Sequence, residues 1–300
     1  SSGLIVLLFM TTVNAQIHST TSGGAWDDVN TWVGTTIPVS THDVVINGTV
    51  GCYTGNPACN NITITSSGVL QNDYYGGTLR VHGNLINNGS INDYGSSFTI
   101  YIKGNITNNG TWVNSYTRIN GAGSQTVSCF GGHVFGGYQF VMEKPSGSFL
   151  FDGDIGFDNC EVLLSNYDVY LQPNSTLSIH DAKMNSCTLY GSGASSVVNG
   201  IGTYNLDAPE FNYVNFYDVT LTGELNFYGS CTTHGTIINN AALHNSYYGS
   251  TLNVYDDFIN NGIIQNYSGD LVVRCYGNFT NNNLVDNQYL TGVKVELLTF

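Results

Sequence analysis

Basic residues are nearly missing from this chain: seven lysines and arginines stand among 300 residues, against 21 acids, for a formal net charge of −14. A nucleic-acid partner needs a basic stripe that displaces condensed counterions, and none exists here. An anionic membrane surface is disfavoured for the same reason. Charge of either sign is scarce, at 9% of residues, where an average globular protein carries about 25%. A helical protein would need lysine and glutamate on its outer faces, so a helical class is excluded as well. Long apolar runs are missing too: the stretch Leu4 to Met10 is too short to span a bilayer. The sequence contains no H-E-x-x-H, no G-x-S-x-G elbow, no G-x-x-x-x-G-K-[ST] and no dinucleotide fingerprint. Only five prolines occur, all in segments that read as loops or turns.

What is abundant is neutral and polar. Thirty-six glycines and 20 tyrosines accompany frequent Asn, Thr and Ser, a composition that suits stacked asparagine and threonine ladders. The order is periodic. From Thr78 to Tyr116 one phrase is written twice: Gly83-Asn84 returns as Gly104-Asn105, and Asn87-Asn88-Gly89 as Asn108-Asn109-Gly110, each 21 residues on. It returns again at Thr251 to Tyr267 and at Leu271 to Tyr289. A fixed period of this length signals a solenoid.

Apolar and polar residues alternate in short segments around Val44 and Ile46, Ile62 and Ile64, Leu79 and Val81, and Ile100 and Ile102, with Gly or Asn turns between. Three short strands and three turns use about 21 residues, and each coil climbs about 4.8 Å, the interstrand spacing. The fold expected is all-β, a right-handed parallel β-helix of about 21 residues per rung. Leu79, Val81, Leu85 and Ile91 would point inward, and the NNG and N-x-Y segments would form corners, where Asn and Gly tolerate positive φ. Between Thr117 and Phe216 the pattern loosens but stays strand-rich, with no sustained helical stripe.

The sequence divides into 1–15, a remnant of an export signal with Val13-Asn14-Ala15 before a mature start at Gln16; 16–41, an atypical cap; and 42–300, the solenoid. A buried first strand is the alternative reading of the apolar N-terminus. Trp26 and Trp32 would be lids on the open core, with carbohydrate stacking as the competing role. HDVVINGTV, starting at His42, is paraphrased by YDVTLTGEL, starting at Tyr217, and the later match runs at a shift of 173 residues. Two related modules follow, about 42–216 and 217–300, the second cut short, so the natural chain is expected to continue.

An exported chain permits disulfides. Of the seven cysteines, Cys52 and Cys59 are the best placed for a local bridge, with two unlinked thiols as the equal alternative. Cys275 occupies the place of Ile102 in the repeat and reads as a core residue.

The opening pattern Gly24, Trp26, Trp32, Gly34, Pro38, Asp43, Val45 and Ile46, and the stretch Gly121, Gly123, Gln125 and Val127, resemble the large secreted β-helix proteins of Bacteroidetes. That resemblance covers most of residues 24 to 290. It implies a cell-surface or extracellular protein with an adhesive or structural role, exported by type IX secretion, although the C-terminal sorting domain of such proteins is not seen. It supplies no catalytic residue.

β-Helices also host pectin-cleaving enzymes. Calcium-dependent lyases need an Asp cluster and a basic residue, and the glycosidases need paired carboxylates. The densest acidic group is Asp152, Asp154 and Asp158; strict alternation would put the first two on one face, as a calcium pair requires, against a solvated turn at Gly153. Cys129/His133 and Cys231/His234 have ligand-like spacing without a second pair, so zinc is not expected. No metal or cofactor is assigned. The Asn-x-Ser/Thr triplets at Asn47, Asn61, Asn88, Asn105 and Asn109 read as turn and ladder residues.

One surface feature repeats. Tyr74, Tyr94 and Tyr116 follow the N-x-Y corner, and Tyr247, Tyr267 and Tyr289 match them one for one. They would form a column along one edge, either a structural tyrosine ladder or a glycan-binding strip. The expected function is a structural or adhesive β-solenoid without catalytic activity, secreted or on the cell surface. The alternative is a polysaccharide-binding or polysaccharide-degrading β-helix. Expected partners are extracellular polysaccharide or cell-surface components, and self-association end to end or side by side.

Overall fold

The computed structural model describes residues 16–297 apart from 54, 73–75, 96, 165–166, 181, 202–209, 267–268 and 287–292. The chain is a parallel β-solenoid. The strand Phe98–Ile102 shows why: its sequence FTIYI buries Phe98, Ile100 and Ile102 completely and leaves Thr99 and Tyr101 half-exposed. Strand alternation makes one side of the ribbon apolar, and a strand this short cannot cover that side by itself. The chain turns, lays down two more strands, and returns one rung higher with Phe98 over Gly77, Ile100 over Leu79 and Ile102 over Val81. Every strand pairing is parallel; the one antiparallel contact among the described residues is the isolated bridge of Ser19 and Trp32 in the cap.

Three faces result. Face one carries Asp43–Ile46, Ile62–Ile64, Leu85–Asn87, Ile106–Asn108 and Gln125–Cys129, and higher up Thr188–Tyr190 and Asn215–Tyr217. Face two begins with Thr49–Gly51, Val69–Gln71 and Ser90–Asn92, and face three with Gly77–Val81 and Phe98–Ile102. The repeat keeps 21 residues from Leu85 through Ile106 to Val127 and from Ile237 through Phe258 to Phe279, and varies elsewhere. Tyr101 lies under Arg118, 17 positions on, while Leu189 lies under Phe216, 27 positions on. These changes of rung length are absorbed at corners, so the loosened middle of the sequence is still one solenoid. There the interior is filled by rings: Trp112, Phe135, Phe140, Phe151 and Phe157 pack with centroids 5.0 to 6.0 Å apart. Burial of each such side chain contributes about 1.5–3 kcal/mol.

Two sequence expectations change. The strand Gln16–His18 already pairs in parallel with Asp43–Ile46, and Gly24–Ala25 pairs with Thr49–Gly51, so the cap segment includes the first rung. Trp26 and Trp32 close its interior as buried, edge-to-face rings 5.0 Å apart, and Trp32 Nε1 donates to the Trp26 carbonyl at 2.8 Å. The repeat glycines are required for a reason other than positive φ. Gly89, Gly104 and Gly110 have ordinary φ. A Cβ on Gly104 would lie 2.3 Å from the Gly83 carbonyl oxygen, and one on Gly110 2.2 Å from that of Gly89. Backbone of one rung presses on backbone of the next, and only glycine leaves room.

The internal duplication also has a geometric consequence. Phe98–Ile102 lies on face three, yet its copy Leu271–Cys275 continues face one, through Ser250 to Val254 and Thr232 to His234. Leu85–Asn87 lies on face one, and its copy Asp257–Asn260 stands over Thr236–Asn239 on face two. The second module repeats the first after eight rungs and one further strand. Corresponding residues of the two modules therefore point in different directions around the rod. Cys275 is buried as Ile102 is, in the matching place of a different sheet.

Candidate functional site

One column on face one runs nearly the length of the solenoid. Its lower half is polar. Asp43 Oδ1 accepts from the Asn61 amide at 3.2 Å, Asn61 Oδ1 from the Asn84 amide at 2.8 Å, Asn84 Oδ1 from the Asn105 amide at 2.8 Å, and Asn105 Oδ1 from the Thr126 amide at 2.9 Å. At this corner the chain turns out of the sheet, and each asparagine side chain supplies the acceptor that the rung below lacks.

Above Thr126 and Leu150 the same register position becomes aromatic. Tyr170, Tyr190, Tyr217, His234, Tyr255 and Tyr276 stack ring on ring, with successive centroids 4.9, 4.7, 4.5, 4.8 and 4.8 Å apart. The spacing is that of the strands, one ring per rung. Interplanar angles are 14°, 28°, 11°, 4° and 8°, so the inner rings have both faces covered by their neighbours. A sugar stacks on a ring face, and these faces are occupied. The ladder offers edges and hydroxyls. Burial within the stack, then Asp168, Tyr217 and Tyr170, raise the Tyr190 phenol above its usual pKa. His234 Nδ1 stands 3.8 Å from the Asp256 carboxylate.

Two buried asparagine ladders run parallel to this column at the NNG corners. Asn87 Nδ2 donates to Asn108 Oδ1 at 2.9 Å; Asn239 donates to Asn260, and Asn260 to Asn281, each at 2.7 Å. The second asparagine of each corner forms an exposed ladder: Asn109 to Asn88 at 3.0 Å, Asn261 to Asn240 at 3.1 Å, Asn282 to Asn261 at 2.8 Å. Asn47, Asn61, Asn88, Asn105 and Asn109 each bond to another rung, Asn47 through Nδ2 to the Ser19 carbonyl at 3.2 Å.

The expected tyrosine column is placed differently. Tyr74, Tyr267, Tyr289 and the side chain of Tyr247 lie outside the described residues. Tyr94 sits on a loop and is 76% exposed, its amide donating to Asn72 Oδ1 at 2.7 Å. Tyr116 lies within a strand of face three, between Thr99 and Gln139, with its ring edge-on to Tyr138 at 5.6 Å. The rung of Tyr94 has a loop from Asp93 to Phe98 that the rung of Tyr116 lacks, so the shared N-x-Y letters do not superpose. Asp93 pins that loop, accepting from the Phe98 and Ser115 amides at 3.1 and 3.0 Å and from Asn72 at 2.8 Å. Burial works against its carboxylate, but the bonds from Ser115, Phe98 and Asn72 outweigh burial and hold the pKa below the ordinary range.

Other candidates resolve as structural. Cys52 and Cys59 are buried free thiols rather than a bridge, and burial, with Cys59 nearby, pushes the Cys52 thiol far up. Asp152 and Asp154 are separated by the turn at Gly153, φ +88°, which sends the chain from face one, where Asp152 pairs with Ser128, to face two, where Asp154 pairs with Thr176. They do not form a calcium pair. Cys129 Sγ donates to the His133 carbonyl at 2.7 Å, and His234 belongs to the aromatic ladder. Among the described residues no group of three His, Cys, Asp or Glu side chains could hold a metal ion.

The aromatic ladder was legible in part. His234, Tyr255 and Tyr276 keep the 21-residue spacing, whereas Tyr170, Tyr190 and Tyr217 are spaced by 20 and 27 positions and emerge only once the rungs are superposed. These columns and corners define a parallel β-solenoid. No known protein family, curated protein or solved structure matches the chain.

Proposed function

We propose that this protein is a structural and adhesive rod of the extracellular space or cell surface, without catalytic activity. The observation that carries the reading is the continuity of its columns. Asparagine, glycine and aromatic positions repeat from rung to rung in the service of stacking, whereas a catalytic site converges different groups on one point. Among the described residues, the carboxylates of Asp93 and Glu296 are held below their ordinary pKa; a general acid would need the opposite shift. The scarcity of charge, the apolar N-terminal run before Gln16 and the resemblance to secreted Bacteroidetes β-helix proteins support export, with type IX secretion as the route.

The test has four readouts. Fractionation of cells expressing the full reading frame should place the protein outside the cytoplasm, and electron microscopy should show stiff rods. Incubation with acidic polysaccharides should release neither reducing ends nor unsaturated sugars; such release would overturn the non-catalytic reading. A glycan array comparing the chain with a Tyr94→Ala/Tyr267→Ala variant tests the tyrosine strip, and unchanged retention would remove those residues from any binding role.

A further inference from the structure

The few cations of this acidic chain are not spread at random. Five of the seven have partners within the fold. Arg118 pairs with Glu143, Lys183 with Glu210 at 3.9 Å, and Arg274 and Lys294 both with Glu296. Lys144 is buried against the Gly123 carbonyl at 2.7 Å, Gln125 Oε1 at 3.0 Å and the Ser148 carbonyl at 3.3 Å. Arg80 and Lys103 remain. Among the described residues neither has an acidic partner, and the two stand on adjacent rungs of face three at the same recess.

That recess, about 60 Å³, is lined by Arg80, Val81, His82, Tyr101, Lys103 and Asn120. Its parts are held in place. The Arg80 guanidinium lies 4.6 Å from the centre of the Tyr101 ring, directly above it in register. Lys103 Nζ is 3.4 Å from His82 Nδ1. An ammonium only donates, so Nδ1 accepts and the ring proton sits on Nε2, a third donor. Burial, then Lys103 and Arg80, lower the His82 pKa, so at neutral pH the imidazole is uncharged. Asn120, also lining the recess, has its Oδ1 buried without a hydrogen-bond partner.

We propose that this recess binds the carboxylate edge of a uronic-acid residue in an acidic polysaccharide, Arg80 and Lys103 holding the carboxylate and Asn120 Oδ1 accepting from a neighbouring sugar hydroxyl. Two uncompensated cations beside a stranded acceptor fit a ligand that carries an anion and a donor together. A bare sulfate group at neutral pH offers no donor for Asn120. The volume is that of about two water molecules, enough for a carboxylate and one hydroxyl, so the sugar ring stays outside and its chain lies across the rungs. The guanidinium presents a planar fork to a planar carboxylate, and the ring of Tyr101 keeps that fork from folding away. The inference deepens the adhesive part of the proposed function and rests on it for the polymeric source of the ligand.

The experiment is affinity electrophoresis and calorimetry of the full chain with polygalacturonate, dextran sulfate, neutral dextran and free galacturonate. Wild type should bind polygalacturonate in preference to the other three. The Arg80→Gln/Lys103→Gln variant should bind it at least tenfold more weakly, and Asn120→Ala severalfold more weakly. Lys183→Gln/Lys294→Gln removes the same charge elsewhere and should bind as wild type does. Circular dichroism keeps folding under control: Arg80 and Lys103 are exposed, and Asn120 is half-buried. Equal losses in both double variants, an unaffected Arg80→Gln/Lys103→Gln variant, a preference for dextran sulfate, or equal affinity for free galacturonate would each overturn the proposal. A chain that ignores polygalacturonate but still adheres to cells or neutral glycans sinks this site and leaves the adhesive reading standing. One that adheres to nothing sinks both.

Discussion

Asn260 and Asn261 are neighbours in one NNG corner, and each makes two side-chain hydrogen bonds to the equivalent residues one rung below and one rung above. Asn260 is fully buried, accepts from Asn239 at 2.7 Å and donates to Asn281 at 2.7 Å. Asn261 is exposed, donates to Asn240 at 3.1 Å and accepts from Asn282 at 2.8 Å. Truncating either to alanine deletes the same bonds, so any difference measures burial alone. In Asn260→Ala the Asn239 side chain keeps a buried NH₂ group without its acceptor, at a cost of about 1–3 kcal/mol, added to about 1 kcal/mol for the lost bonds. The oxygen of Asn281, at an exposed position, recovers water. In Asn261→Ala both partners face solvent, and the loss is expected to stay near 0.5 kcal/mol.

The gap of about 2 kcal/mol corresponds to a factor of about 30 in a local opening equilibrium. Rungs of a solenoid open individually, so native-state hydrogen exchange is the appropriate assay. Protection of the amides from Phe258 to Ile263 should fall about seventyfold in Asn260→Ala and only two- to threefold in Asn261→Ala. Equal losses in the two variants would refute the reasoning, because they would show that the inner ladder is stabilised by nothing that the outer one lacks.

Other predictions follow from the same geometry. Gly110→Ala should destabilise by about 2 kcal/mol or more, because its Cβ meets the Gly89 carbonyl at 2.2 Å and backbone must shift, whereas Gly123→Ala, with nothing within 4 Å but φ at +82°, should cost about 1 kcal/mol; thermal denaturation distinguishes them. His244 is buried and burial lowers its pKa to about 4. A folded pKa below the unfolded value of about 6.5 means stability that is full above pH 6.5 and lost as pH falls towards 4, up to about 3 kcal/mol, and His244→Gln should flatten that slope in a stability–pH series. Tyr255→Ala removes two stacking contacts, at 4.8 Å each, and should cost about 1–3 kcal/mol, while Tyr94→Ala should be close to neutral by the same denaturation assay.

The fold was legible because strand alternation and a 21-residue period are written in neighbouring residues. Leu79, Val81, Leu85 and Ile91 are all fully buried, or nearly so, as alternation requires. Register was not legible, because it depends on how many residues each corner absorbs. Four extra positions between Asn92 and Thr99, relative to Val113 and Tyr116, move Tyr94 and Tyr116 out of line, and the change from 20 to 27 positions hides the alignment of Tyr170, Tyr190 and Tyr217. Asp152 and Asp154 failed as a pair for a related reason: alternation presumes a straight strand, and Gly153 bends it onto another face. The recess at Arg80 and Lys103 was hidden similarly, since the two residues, 23 places apart, come side by side only once the rungs are superposed.

The offset between the two modules bears on what the rod can recognise. An exact repetition after whole rungs would present each surface group twice on one side, and a fibrous ligand could bridge the copies. Here the copies differ by a third of a turn. The place of Arg80 on face three is taken in the second module by Asn253 on face one, and that of Lys103 by Tyr276, inside the aromatic ladder. Duplication has thus multiplied the inward-facing pattern, which every face needs, and left the outer positions free to diverge. A polymer laid along one side of this rod meets the cationic recess once, so its binding curve with polygalacturonate should saturate at one recess per chain; two equivalent sites would show that the surface as well as the core had been copied.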